Sequence, residues 1–362
     1  MGPSNQESGT GQLRHAFQND FQALAFLVLV TGVLVSPVLI AHLHPQDRRH
    51  IYRTMREEDG GFSFMEHEIY EVKDNIDVVF IGPSTVWSGI DSPIVEKALT
   101  EKLGRPARVM TFGNTGASMD VPYMLMRDLL SHKRVGMVVT SVPRAPFNDG
   151  LTPQGFRFLS YSDPPETDGL PLRYRAMLYA GYVLRGPRDL LDWLRPAPST
   201  ASSLLHTNGA MLALAGWYGQ PYTPFTAPYP QLPPEASIYS TRTRDNFSFS
   251  GAPLPFFQTY YLHKLCDLLR TRHVKLVLVS IPQYQERRNS LAIERLCWPD
   301  VLGWPTAMVG IPPATLFRNL SDQDVQKLYY DDLHLNRNGS EMLARTLTPA
   351  LLELYANRSR VD

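Results

Sequence analysis

Cysteine is scarce in this chain: only Cys266 and Cys297 occur in 362 residues. Two thiols close one bridge at most, which excludes a disulfide-stapled scaffold, and two unpaired thiols are the simpler expectation. An excess of either charge is equally lacking. Thirty-five basic residues balance 35 acidic ones, for a formal net charge of +0. With no basic run interleaved with aromatics, nothing marks a nucleic-acid binder. No Cys/His group has zinc spacing, so no metal is expected, and no cofactor either. Internal repeats are absent.

Long apolar runs are confined to one place, residues 21–43 (FQALAFLVLVTGVLVSPVLIAHL), which contain no Asp, Glu, Lys or Arg. About 20 such residues suffice for a transmembrane helix. No small-x-small cleavage site follows, so an uncleaved single-pass anchor is expected rather than a signal peptide. Only Arg14 precedes the run, whereas Arg48, Arg49, Arg53 and Arg56 follow it. That bias favours a cytoplasmic C-terminal side, under a rule that weakens when a large domain follows. Residues 1–20 are polar and expected to be disordered. Residues 44–75 are a charged juxtamembrane stretch, helical around Arg48 and broken at Gly60-Gly61.

From 76 to 356 the pattern is one domain of alternating strands and helices. Strands are expected at 77–82, 108–112, 135–142 and 274–281. Helices are expected at 91–103, 121–132, 256–272 and 340–355. Asp91 or Ser92 and Asp120 are the expected caps, and Gly104 is a stop. Near-continuous Val/Ile runs between helices imply an α/β fold: a three-layer αβα arrangement around a parallel sheet. Residues 148–255 interrupt the rhythm. Pro221, Pro224, Pro228, Pro230, Pro233 and Pro234 alternate there with Tyr218, Tyr222, Phe225 and Tyr229. So aromatic a stretch reads as an ordered insertion over the active face, helical near 174–194, rather than a linker.

Two short stretches carry chemistry. Ser84 follows a strand that breaks at Gly82-Pro83, at the carboxyl end of the sheet where open α/β folds place their sites. A serine hydroxyl is inert without a base in reach, and the plain alternative is a serine in a turn. Asp331-Asp332-Leu333-His334-Leu335-Asn336-Arg337-Asn338 supplies that base. His334 can take and return a proton near neutral pH, and Asp331 can fix its tautomer. Asp332 is the less suitable orienter. The plain alternative is a helix start capped by Asn336 or Asn338, and the two readings are compatible. For an oxyanion hole the candidates are the turn Gly113-Asn114-Thr115-Gly116, with its flexible backbone, and the Asn114 amide.

The order of Gly-x-Ser after strand one, a Gly-rich turn after strand two, and Asp-x-x-His-x-Asn before the last helix resembles the SGNH (GDSL-like) hydrolase superfamily. The match covers roughly 76–142 and 256–355. The resemblance implies a flavodoxin-like sheet, a Ser84–His334–Asp331 triad, and an oxyanion hole from Ser84 and Gly116. Asn148 or Asn114 would stand for the family's asparagine. Pro83 departs from the acidic residue often found there. With a membrane anchor, the chain is similar to the AlgJ/AlgX-like and DltD-like proteins of bacterial cell-envelope acylation. That similarity implies a catalytic domain outside the cytoplasmic membrane, an acyl ester or acylated carbohydrate as substrate, and a membrane-bound O-acyltransferase as partner. The expected activity is ester hydrolysis or O-acetyl transfer. The alternative is an inactive scaffold for the acyltransferase.

Overall fold

The computed structural model describes residues 19–43, 48–55, 60–116, 118–142, 150–160, 167–184, 256–288 and 307–357. The chain opens with a 24-residue helix, α1 (Asp20–Leu43). Two helices follow, α2 (Arg49–Arg53) and α3 (Phe62–Tyr70). Then come β1 (Ile76–Pro83), α4 (Ser84–Gly89), α5 (Ser92–Leu103), β2 (Val109–Asn114), α6 (Asp120–His132) and β3 (Val135–Ser141). Next are α7 (Pro153–Ser160), α8 (Leu172–Val183), α9 (Phe256–Thr271), β4 (Lys275–Val279), β5 (Ala307–Val309), α10 (Pro313–Leu316), α11 (Asp322–Gln326) and α12 (Arg337–Ala356).

The five strands pair in parallel in the order β2-β1-β3-β4-β5. This is the doubly wound order whose chain reverses direction between β1 and β3, leaving a crevice at the carboxyl ends of those two strands. Alternation along the strands sends side chains to opposite faces. Val79, Ile81, Val138 and Leu276 join one apolar layer with α3, α6 and α9. Val78, Phe80, Val139 and Val277 join a second layer with α5 and α12. Both faces of the sheet are therefore covered, as its unbroken Val/Ile runs require.

Local chemistry sets the element ends. The Asp91 carboxylate caps α5 by accepting from the Ile94 N–H, and Gly104 closes that helix in the left-handed region at φ 64°. Two expectations need correction. Asp120 does not cap α6 from outside: it is the first residue of that helix, and Met119 stands at the cap without a side-chain bond. The last helix begins at Arg337, three residues early, because the Asn336 side chain accepts from the N–H groups of Asn338 and Gly339. Of the helix expected near 174–194, the described part is α8, and most of the insertion, residues 185–255, lies outside the described residues.

The charged stretch 44–75 is more than a tether. Ile51, Tyr52, Phe62, Met65 and Ile69 are all buried in the first apolar layer. Arg48 grips the Asp128 carboxylate with two hydrogen bonds, 2.7 and 3.1 Å, and the Tyr52 hydroxyl donates to the same group at 2.9 Å. Arg49 and Arg53 both pair with Glu66. On α1 the large side chains of Phe21, Leu24, Phe26, Leu27, Val28 and Leu29 point outward. Among the described residues no helix is long and apolar enough to cross a membrane, so the expected anchor over 21–43 is unsupported by them. Cys266 is a free, buried thiol, pushed up to about 12 by burial, and Cys297 lies outside the described residues.

Candidate active site

Ser84 stands where β1 stops. Gly82 has φ 154°, a backbone conformation that disfavours a side chain, and a Cβ there would lie 2.9 Å from the Val86 methyl. Pro83 follows in extended geometry, and the chain then folds directly into α4 with Ser84 as its first residue. Pro83 pairs in register with Asn114 at the end of β2. The Ser84 turn and the Gly-rich turn therefore leave the sheet side by side. Ser84 itself is half-buried.

Two hundred and fifty residues later, His334 arrives on a turn held by its own backbone. The Tyr330 N–H donates to the His334 carbonyl at 2.8 Å, and Tyr329 pairs with Leu335. The Asn336 amide ties the base of this turn to the Lys327 carbonyl at 2.7 Å while its oxygen caps α12. Asn336 thus does two jobs, of which the capping motif announces one.

The turn puts the imidazole on the serine. The Ser84 Oγ to His334 Nε2 distance is 2.7 Å, and His334 Nδ1 lies 2.7 and 2.9 Å from the two Asp331 oxygens. The tautomer that satisfies both contacts carries its proton on Nδ1, donates it to Asp331, and accepts the Ser84 hydroxyl at Nε2. The Asp331 carboxylate also accepts the N–H groups of Leu333 and His334, at 2.8 and 2.7 Å. Burial pushes this carboxyl up, but the His334 ring and the two backbone donors outweigh it and hold it below the ordinary carboxylate value. The Asp332 carbonyl accepts from the Tyr284 N–H at 3.0 Å.

The oxyanion candidates are placed less completely. Gly116 lies two residues beyond Asn114 with φ 97°, in the left-handed region that favours glycine. Asn114 is fully buried, and its amide nitrogen donates to the Thr115 carbonyl at 3.0 Å. Asn148 lies outside the described residues. Among the described residues no group of His, Cys, Asp and Glu could hold a metal ion.

Sequence reasoning missed a second buried carboxylate beside this loop. Asp120 is wholly buried and accepts from the N–H and the hydroxyl of Thr152, both at 3.0 Å, and from the Val121 N–H at 2.9 Å. Burial raises its pKa against those hydrogen bonds. The only sequence signal was an acid at a helix start, which reads as a cap.

No protein-family model matches the chain, and no curated protein matches it either.

Proposed function

We propose that the chain is a serine acyl-transfer enzyme of the SGNH type, an ester hydrolase or O-acetyltransferase acting on acylated carbohydrate of the cell envelope. The observation that carries this reading is the unbroken hydrogen-bond chain from Ser84 through His334 to Asp331 at the carboxyl edge of a parallel sheet. A serine, a neutral imidazole and an ionised carboxylate in that order are what nucleophilic acyl transfer needs.

In this reading the Ser84 oxygen attacks the ester carbonyl while His334 Nε2 takes the hydroxyl proton. The tetrahedral oxyanion is held by the backbone N–H groups of Ser84 and Gly116. His334, stabilised as imidazolium by Asp331, returns the proton to the leaving alcohol, and the acyl group rests on Ser84. Water or a sugar hydroxyl then attacks the acyl-enzyme with His334 again as base, which restores the serine.

The same reading keeps residues 21–43 as an anchor in the cytoplasmic membrane with the catalytic domain outside, although no described helix is long and apolar enough to cross a membrane. Arg48, Arg49 and Arg53 are engaged with Asp128 and Glu66 inside the domain.

The test is hydrolysis of a chromogenic acetyl ester by the purified full-length chain. Turnover should vanish in Ser84→Ala and covalent labelling by a fluorophosphonate should vanish with it. Full turnover in that variant would eliminate the enzyme reading. A second reading, an inactive scaffold for a membrane-bound O-acyltransferase, is favoured by the buried and engaged Asn114 amide. It predicts that Ser84→Ala still co-purifies with the acyltransferase and restores polymer acylation in a deletion strain.

A further inference from the structure

We infer that Asp120 and Thr152 form a buried clamp that positions the Gly116 turn, making Asp120 a positioning residue for the oxyanion donor. The inference rests on the acyl-transfer reading above and deepens it.

The clamp is a chain of single-fit contacts. The Thr152 hydroxyl donates to Asp120 Oδ2 at 3.0 Å and accepts the Gly155 N–H at 2.9 Å. With its backbone N–H also on Asp120, Thr152 has little rotameric freedom left. Its methyl group then faces the oxyanion turn: a Cβ built on Gly116 would lie 3.4 Å from Thr152 Cγ2, ordinary packing contact. Beside it, the Gln154 amide reaches the Thr115 hydroxyl at 3.5 Å. The segment starting at 150 therefore forms the backing against which the turn at 115–116 rests. Space around the carboxylate is equally defined, since a Cβ at Gly155 would sit 1.9 Å from Asp120 Oδ2.

Among the described residues no cation pairs with this fully buried carboxylate, and such burial is costly. A neutral side chain would fill the same helix-start position at less cost. What the carboxylate supplies is one oxygen, Oδ2, that takes both Thr152 donors at once, and a second, Oδ1, that takes the Val121 N–H. Because the turn carries a backbone donor whose value depends on sub-ångström placement, loosening its backing should weaken transition-state binding and leave substrate binding alone.

The experiment compares Asp120→Asn, Thr152→Val and Thr152→Ser in the full-length chain, with kcat and KM for the acetyl ester, the fluorophosphonate labelling rate and the melting curve measured on each. Asp120→Asn and Thr152→Val should lower kcat about 10- to 100-fold at nearly constant KM. The labelling rate should fall in parallel, and the pH profile set by His334 should keep its shape. Thr152→Ser keeps the hydroxyl on Asp120 but loses the methyl that backs Gly116, so its kcat should fall between those of the parent and Thr152→Val. If Asp120→Asn does not fold, the Thr152 pair decides alone. Equal kcat in folded Thr152→Val and the parent overturns the clamp, as does a kcat loss that merely tracks the unfolded fraction. A parent chain with no Ser84-dependent turnover defeats the acyl-transfer reading itself, a different result from an active parent whose clamp variants are unimpaired.

Discussion

At the amino end of β1, Asp77 accepts two hydrogen bonds from Arg105, one from the Tyr355 hydroxyl and one from the Arg108 N–H. At the carboxyl edge of the same sheet, Asp331 accepts its bonds from His334 and two backbone amides. Both carboxyls are held below their ordinary value against burial. The difference lies in the partner. Arg105 is a permanent cation, so the Asp77 cluster has one protonation state in the working range and does nothing but join β1, the segment before β2, and α12. His334 can gain and lose a proton, and its far nitrogen holds a serine. Asp120 is a third case, with a pKa raised by burial. One sheet thus carries a carboxylate paired with a permanent cation at one end and a carboxylate paired with an imidazole at the other.

The comparison is broken most severely at Asp331. Asp331→Asn leaves the shape of the turn but removes the charge that stabilises imidazolium, and kcat should drop about 10⁴-fold, far beyond what its loss of stability explains. Asp77→Asn should do the reverse. Losing charge-assisted hydrogen bonds costs about 1.5–3 kcal/mol, towards the low end because Arg105 is half-exposed, and kcat per folded molecule should be unchanged. Denaturant unfolding and ester turnover measured on both variants separate the two roles. A kcat loss in Asp77→Asn would show that the two ends are coupled.

Acid sharpens the contrast. Because both folded-state carboxyls lie below the unfolded value of about 3.9, their stabilisation is complete above that value and is lost as pH falls through the lower folded one. Asp77→Asn should therefore flatten the stability curve below about pH 4 without changing its slope near neutrality. The smallest effect is expected at Asn336. Asn336→Ala removes the cap of α12 and should cost about 1 kcal/mol. It also frees the Lys327 carbonyl at the base of the His334 turn, so turnover should fall more than the loss of cap alone explains.

The three residues that join in the Ser84–His334–Asp331 hydrogen-bond chain could be singled out in the sequence because each is announced locally. A buried strand ending in Gly82-Pro83-Ser84 and an acid three residues before His334 need no partner to be recognised. The parallel sheet was legible for the same reason, from unbroken Val/Ile runs separated by helices. The role of 49–70 in the core was not, since a stretch with Arg48, Arg49, Arg53 and Glu66 reads as solvated until Asp128 appears opposite Arg48. Nor was Asp120, whose partner Thr152 lies 32 residues away in a segment without periodicity.

Composition and pattern alone determined the sheet, its two covered faces and the identity of the serine, the histidine and the aspartate, because these follow from short-range periodicity and from side-chain chemistry. The tertiary structure decided that Ser84 meets His334 at 2.7 Å and that a buried carboxylate backs the Gly116 turn. Those contacts join residues tens to hundreds of positions apart, and only the register of the strands and the packing of helices against them fix such distances.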